Sequence, residues 1–276
     1  MIIDEAKKLL ANDLNQEEAR DIIQYVTGFN NQEQLLNYKK ELSQSDEEKV
    51  KAILTKRTDG YPLQYILRKW PFMGKDFSVG EGVLIPRDDT EVVVLSVIPY
   101  LKQIKKARII DLCSGSGIIA VTLKCMFPQS EVHALELSEK ALPYLKSNIK
   151  SLAPDVILHQ GDLNLLYENF EDNYFDLVIS NPPYIESKII PTLQTEVQNE
   201  PKMALDGGTD GLDFYRSITE KWSKKLRQGG MMAFELGEGQ FDTVKALMSD
   251  KGFENIQAFK DLGNIDRAIN GTLNPK

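Results

Sequence analysis

The sequence predicts an α/β fold: a seven-stranded, mostly parallel sheet, preceded by a small N-terminal helical domain and a hairpin linker. Three observations predict it. From Asp88 onward, short apolar, β-branched runs alternate with segments of helical period, the pattern of successive βα units. Residues 1 to about 60 carry helical spacing and almost no strand signal. Between the two, the texture breaks into short aromatic runs interrupted by Gly74, Gly80 and Gly82. With 276 residues and 42% hydrophobic content, the chain is long enough for one sizeable core plus an accessory domain. The expected partition is a helical domain over 1–70, a β-hairpin linker over 71–87 and an α/β domain over 88–276.

In chain order, Ile2, Ala6, Leu9 and Leu10 share one helical face, Ala19, Ile22, Ile23 and Val26 another, and Val50, Ile53 and Leu54 a third. Three or four short helices result. Ser45 with Glu48 has the form of a capping box, and Gly60 sits where a glycine ends a helix. A helix from about Asp89 to Lys102 leads into the second domain. Strands are expected at Arg108–Leu112, Glu131–Glu136, Val156–His159, Phe175–Ser180, Met231–Leu236 and Asn255–Phe259, with a last one near Arg267–Asn270. Helices fall between them, notably Gly117–Phe127, Glu139–Ser151 and Leu212–Leu226, the last with Leu212, Tyr215, Ile218, Trp222 and Leu226 on one face.

Composition excludes several classes. Lys plus Arg total 33 against 41 for Asp plus Glu, a formal charge of -8, which argues against a partner held through its phosphates. No direct nucleic-acid contact is expected. The two cysteines, Cys113 and Cys125, lie in a predicted strand and helix and do not form a disulfide framework. The N-terminal stretch has charges among its apolar positions and does not read as a signal peptide, and no run is long and apolar enough to span a bilayer. The expected address is the cytoplasm, with no membrane partner.

The chemistry begins at Ile109-Ile110-Asp111-Leu112-Cys113-Ser114-Gly115-Ser116-Gly117, a strand running into a small-residue loop that opens a helix. Glycines there let backbone approach a ligand closely. Glu136, at the end of the next strand, stands where a carboxylate accepts hydrogen bonds from both hydroxyls of a ribose. Read alone, these glycines mark no more than a tight turn, and Gly115-Ser116-Gly117-Ile118-Ile119-Ala120 also fits a dinucleotide fingerprint. Asp111 argues otherwise. A carboxylate just before the loop is awkward beside a pyrophosphate but suits the cationic amino-acid end of a sulfonium cofactor, which points to S-adenosylmethionine. Asp162, after the third strand, is then placed to accept the adenine amine, with Leu163 packing nearby. As an ordinary loop aspartate it would cap a helix.

The most specific segment is Asn181-Pro182-Pro183-Tyr184, directly after the apolar run Phe175–Ser180. It falls at the C-terminal end of a strand, where open α/β sheets bind ligands. A planar amide or exocyclic amine is a poor nucleophile because its lone pair is delocalised. The Asn181 oxygen and the Pro182 carbonyl can accept both of its N–H bonds and aim the nitrogen, while Tyr184 stacks on the planar group. No general base is assigned and no metal is expected. His133 and His159 read as isolated core or edge residues of strands.

At this point the chain resembles the HemK/PrmC protein-(glutamine-N5) methyltransferases, which modify the glutamine of the Gly-Gly-Gln motif in peptide chain release factors. The resemblance covers nearly the whole chain. It rests on Leu84-Ile85-Pro86-Arg87-Asp88-Asp89-Thr90-Glu91, Asp111 through Gly117, Asn181-Pro182-Pro183-Tyr184-Ile185, Glu200 through Gly208, Phe234-Glu235-Leu236-Gly237, and Asp261-Leu262-Gly263-Asn264 with Arg267. It implies a class I, Rossmann-like methyltransferase domain behind a helical domain that helps dock the release factor. It also implies cofactor contacts at Cys113 to Gly117, Glu136 and Leu163, and substrate contacts at Asn181, Pro182, Pro183 and Tyr184. Two departures are visible: Glu136 stands where the family usually has Asp, and Asp88 where it generally has proline. The same tetrad also occurs in enzymes that methylate a ribosomal-protein glutamine and in adenine-N6 or guanine-N2 nucleic-acid methyltransferases, and a non-catalytic binding module would keep the same fold.

Overall fold

The structure, a computed structural model, describes residues 1–274. It divides into two compact units, one formed by Met1–Lys69 with Gln194–Asn199, the other by Trp70–Leu193 with Glu200–Lys276.

The first unit is helical. Its elements are α1 (Ile3–Asp13), α2 (Gln16–Thr27), α3 (Asn31–Leu36), α4 (Gln44–Thr58) and α5 (Leu63–Leu67). The side chains of Ile3, Ala6, Leu10, Ala19, Ile22, Ile23, Val50 and Ile53 form its core. Local chemistry sets the helix ends. Asn15 accepts from the backbone N–H groups of Glu17 and Glu18 to cap α2, and Asn30 forms a capping box with Glu33 at α3. The expected box at Ser45 and Glu48 is displaced: Ser43 is the cap, accepting from Asp46 N at 3.1 Å. Gly60, at φ +81°, follows α4 in the left-handed conformation that suits a glycine. Helix α5 lies where sequence texture suggested only extended structure, because Pro62 pre-sets the backbone at its N-cap. Arg57, 7% exposed, donates to Glu18 Oε2 at 2.8 Å, to the Tyr61 carbonyl at 2.8 Å and to Glu196 Oε1 at 2.9 Å, tying α4, α2 and the 194–199 segment together.

The second unit opens with a hairpin, β1 (Lys69–Phe72) and β2 (Lys75–Ser78). Met73 and Gly74 turn it with φ of +47° and +72°, the signs of a two-residue type I′ turn. There follow α6 (Asp89–Leu101), β3 (Arg108–Leu112), α7 (Ile118–Met126), β4 (Glu131–Glu136), α8 (Leu142–Leu152), β5 (Ile157–Gln160), β6 (Phe175–Ser180), α9 (Asp213–Trp222), β7 (Leu226–Glu235), α10 (Phe241–Asp250), β8 (Phe253–Lys260) and β9 (Asp266–Leu273). Strands β3 to β9 form a seven-stranded sheet in the order β5-β4-β3-β6-β7-β9-β8. Strand β9 alone runs against the direction of the other six. The expected fold class and all seven strands are present. Strand β7 starts five residues earlier than the sequence suggested, at Leu226, because Gly229 and Gly230 interrupt its apolar signal without interrupting its backbone.

Alternation along the strands assigns the two faces. Ile109, Leu177 and Ile179 pack with α6, α7 and α8, whereas Ile110, Leu112, Val178 and Phe234 pack under α9 and α10. As its spacing requires, α9 buries Tyr215, Ile218 and Trp222 there, flanked by Leu212 and Leu226. Both faces being covered, β6 is buried at every position, as a central parallel strand should be.

Candidate active site

The loop between β3 and α7 turns through three left-handed residues, Cys113 at φ +60°, Gly115 at +55° and Gly117 at +84°. A Cβ on Gly117 would stand 2.5 Å from Leu145 Cδ1, so both conformation and space require glycine there. Cys113 adopts the same region with a side chain, a strained state that a surrounding structure must hold. The Ser114 N–H donates to the Leu135 carbonyl at 3.0 Å and anchors the loop to β4. Burial pushes the Cys113 thiol above its ordinary range, which favours its protonated form.

Asp111 is not where the charge argument put it. It shares the α7-facing side of β3 with Ile109, is 0% exposed and does not border the cavity described below. Its Oδ2 accepts from the Ala120 N–H at 3.1 Å, capping the first turn of α7 from a neighbouring strand, while Oδ1 has no partner. Burial raises its pKa from the ordinary 3.8 to about 8. The carboxyl shapes the loop from behind, and its burial favours the protonated form.

Glu136 closes β4 and does face the cavity. Its Oε2 accepts from Gly115 N at 2.7 Å and its Oε1 from Ser138 N at 2.6 Å. The Leu137 N–H also bonds to the carboxylate, which keeps acceptor capacity for a further donor. The side chain is 7% exposed, and burial raises its pKa despite those bonds. At the end of β5, Asp162 does what a loop aspartate does, accepting from Asn164 N at 2.8 Å. It also borders the cavity, as does Leu163 beside it.

These strand ends border a cleft that is partly open to solvent. Ser114, Gly115 and Ser116 form its floor with Cys113. Val83 to Arg87, Met203 and Phe214 also line it. Glu200, 5% exposed, holds the 85–87 stretch: its Oε2 accepts from Ile85 N at 2.9 Å and its Oε1 from Arg87. At Asp88 no side-chain cap is made, and the turn into α6 is held by Glu91 N donating to the Asp88 carbonyl at 2.9 Å.

Asn181 and Pro183 reach the cleft, whereas Pro182 is buried and Tyr184 stands behind it, half-buried. Tyr184 is tightly enclosed. A Cβ on Gly207 would lie 2.7 Å from its Cα, one on Gly211 2.4 Å from its carbonyl oxygen and one on Gly237 3.0 Å from its ring. Gln240 donates to its carbonyl at 3.0 Å. Its hydroxyl donates to Glu235 Oε1 at 3.1 Å, and Thr90 donates to the other oxygen at 2.6 Å. Neither Glu235 nor Thr90 was singled out by spacing. Both lie inside segments that carried the family resemblance, and that was their only signal. The two histidines are not isolated: His133 Nδ1 meets His159 Nε2 at 2.8 Å, their rings stacked, and His133 Nε2 meets Glu131 at 2.9 Å. They sit with Phe170, Tyr174 and Phe175, away from the cleft. Among the described residues, no group of three or more His, Cys, Asp or Glu is arranged to hold a metal ion, and no helix is long and apolar enough to cross a membrane.

Known proteins are similar to this chain. Residues 2–67 match the PrmC N-terminal domain, and residues 88–209 the methyltransferase small domain. A release factor glutamine methyltransferase of Thermodesulfovibrio yellowstonii is 36% identical over 260 residues, 92% of this chain and 91% of that one. One of Geobacter sulfurreducens is 38% identical over 239 residues, 86% and 82% of the two chains. Among solved structures, the catalytic domain of hMettl16 in complex with an RNA hairpin of the MAT2A 3'UTR superposes with a TM-score of 0.56 at 14% identity, over 85% of this chain and 84% of that one. At that identity the likeness is one of fold alone.

Proposed function

We propose a reaction for this chain from its family: the chain belongs to the release factor glutamine methyltransferases. It transfers a methyl group from S-adenosylmethionine to the side-chain N5 of the glutamine in the Gly-Gly-Gln motif of a peptide chain release factor, in the cytoplasm. The observation that carries this reading is the meeting, in one cleft, of the Cys113–Ser116 loop, the Glu136 carboxylate and Asn181, in a chain that matches its relatives over nearly its full length.

The residues suit the cofactor. Glu136 borders the cleft with a carboxylate that keeps acceptor capacity, at hydrogen-bonding reach of the glycine loop, which fits a ribose hydroxyl. Asp162 beside Leu163 offers an acceptor next to an apolar surface, as an adenine ring needs. When bound, S-adenosylmethionine supplies an electrophilic methyl group on a sulfonium. Gly117 and Asp111 act indirectly, by shaping the loop. The protein's part is orientation. Asn181 Oδ1 and the Pro182 carbonyl accept the two N–H bonds of the glutamine amide and hold its nitrogen toward the methyl group, and Pro183 keeps that carbonyl fixed. Tyr184, held by its own hydroxyl and backbone, is to stack on the planar amide where that amide passes beyond the cleft lining at Asn181 and Pro183. The same acceptors would stabilise positive charge growing on nitrogen as it takes the methyl group and the S–CH3 bond breaks, its electron pair staying on sulfur, which leaves as the neutral thioether S-adenosylhomocysteine. The nitrogen then loses its extra proton to solvent, so no basic side chain is required. Residues 1–70 serve as the docking domain for the release factor, joined by the 71–87 linker to the catalytic domain at 88–276.

The test is methyl transfer from labelled S-adenosylmethionine to a purified release factor, with its Gly-Gly-Ala version and total nucleic acid as parallel acceptors. Label confined to the intact factor is the expected result. Label in the Gly-Gly-Ala version, in nucleic acid only, or in none of the three would overturn it.

A further inference from the structure

Asn181 is useful only if its amide is turned the right way. An acceptor facing the substrate nitrogen orients it, while an NH2 facing it repels it. The two amide ends have nearly the same shape, so only hydrogen bonding decides between them. Asn181 Nδ2 lies 3.2 Å from Thr90 Oγ1, and Thr90 Oγ1 lies 2.6 Å from Glu235 Oε2. Thr90 and Glu235 are 0% and 1% exposed, shut away from water that would offer other partners. An ionised carboxylate can only accept, so the single Thr90 proton goes to Glu235. The Thr90 oxygen then has only lone pairs left for Asn181, which must present NH2 to it. The Asn181 carbonyl edge is thereby turned away from Thr90.

We propose that Glu235, acting through the Thr90 hydroxyl, is a positioning residue that sets the polarity of the Asn181 amide and, through its second oxygen, fixes the Tyr184 ring. This rests on the reading that Asn181 orients the nitrogen to be methylated. The carboxylate is well built for the role. It ends β7, in register with Ala268 on β9, and its backbone carbonyl accepts from the buried Tyr215 hydroxyl at 2.8 Å. Its two oxygens hold the two ends of the Asn181–Tyr184 segment, one through Thr90 and one directly. A single rigid strand end thus governs both side chains while itself lying outside the cleft lining.

Thr90→Val keeps the shape and removes the hydroxyl; Thr90→Ser keeps the hydroxyl and removes the methyl. With release factor as acceptor, Thr90→Val should lower kcat on the order of 10- to 100-fold, the usual scale for one lost orienting interaction. KM and the cofactor Kd, by calorimetry, should stay within about threefold, and Thr90→Ser should keep kcat within about threefold of the unsubstituted enzyme. Equal losses in the two variants would overturn the proposal, since a packing role does not distinguish them in that direction. Should Thr90→Val fail to fold, side-chain amide hydrogen exchange of Asn181 in the unsubstituted protein decides. The Asn181 NH2 protons should exchange much more slowly than those of the exposed Asn173, and exchange as fast as theirs would sink the relay. If the unsubstituted enzyme transfers no methyl group to the factor, the functional reading fails, and the exchange measurement still judges the relay.

Discussion

Replacing Asp111 by asparagine separates two roles that the sequence alone does not distinguish. The carboxyl is fully buried, one oxygen accepting from Ala120 N at 3.1 Å and the other unpartnered. Burial raises its pKa from 3.8 to about 8. In that window the native state holds a proton that the unfolded chain has released, so stability falls as pH rises from about 4 and levels off above about 8. A pKa unit corresponds to about 1.4 kcal/mol, and the linkage integral between pH 5.5 and 8.5 comes to about 3 kcal/mol. An asparagine amide in its place would keep the acceptor for Ala120, keep the shape and stay neutral throughout. The stability of Asp111→Asn relative to the unsubstituted protein should therefore rise by about 3 kcal/mol across that interval, with cofactor affinity changed by no more than about threefold. Urea unfolding followed by tryptophan fluorescence reads this, because Trp70 and Trp222 both belong to the second unit. Parallel pH curves for the two proteins would refute the buried-carboxyl account. A tenfold or greater loss of cofactor affinity without a pH effect would restore the contact with the cofactor's cationic end.

Four further outcomes follow from the site. Asn181→Ala should keep cofactor affinity, by calorimetry, while losing most turnover; unchanged turnover would remove the orienting role. Glu136→Ala should weaken cofactor binding by about 1–3 kcal/mol, the scale of charge-assisted hydrogen bonds, and equal affinity would refute the assignment. Gly117→Ala forces a side chain into a left-handed residue and against Leu145, so urea unfolding should register a loss of about 2–4 kcal/mol, against about 1–2 for Gly28→Ala, where the space is open; equal losses would contradict the packing. Burial raises the pKa of Glu235 to about 7, among Thr90, Tyr184, Asp89, Arg267 and Tyr215. Its ionised form prevails above that pH, so kcat should fall as pH drops from 8 to 6, whereas Thr90→Val, already without the relay, should show a flatter profile.

What the sequence made legible was whatever depends on near neighbours. The β-branched runs, the glycine at 117 and the Asn-Pro-Pro-Tyr tetrad each carry their meaning within a few residues, and the structure has a strand, a left-handed turn and a strand-end loop at those places. Asp111 shows where that kind of reading stops. Alternation with Ile110 and Leu112 gives the two faces of β3, but not which face the glycine loop leaves covered by α7. Thr90 and Glu235 lie 145 positions apart, and no periodicity joins them; only the pairing of β7 between β6 and β9, with α6 packed against it, brings them into contact. The displaced cap at Ser43 is a smaller case, in which two serines two residues apart offer equally good local signals and the start of the helix selects one. His133 and His159 looked isolated because their contact is made across adjacent strands.

Parallel register explains why the site is a row of strand ends. Leu112 pairs with Leu135 and with Ser180, Glu136 with Gln160, and Ser180 with Phe234, so Cys113, Glu136, Asp162, Asn181 and Glu235 emerge along one edge of the sheet. The same geometry moves the electrostatic argument to different residues. Asp111, which seemed to decide between a sulfonium cofactor and a dinucleotide, stands behind the loop where burial favours its protonated form, so it repels no pyrophosphate. The discrimination passes to Glu136 and Asp162, which do border the cleft. Glu136 already takes the Gly115 N–H at 2.7 Å, and that N–H belongs to the loop whose backbone donors a dinucleotide pyrophosphate would need. The loop that in a dinucleotide enzyme presents amides to phosphate is here turned onto a carboxylate. A cleft so arranged favours a ligand that brings hydroxyls and positive charge over one that brings phosphates, for a reason visible only once the bond from Gly115 to Glu136 is known.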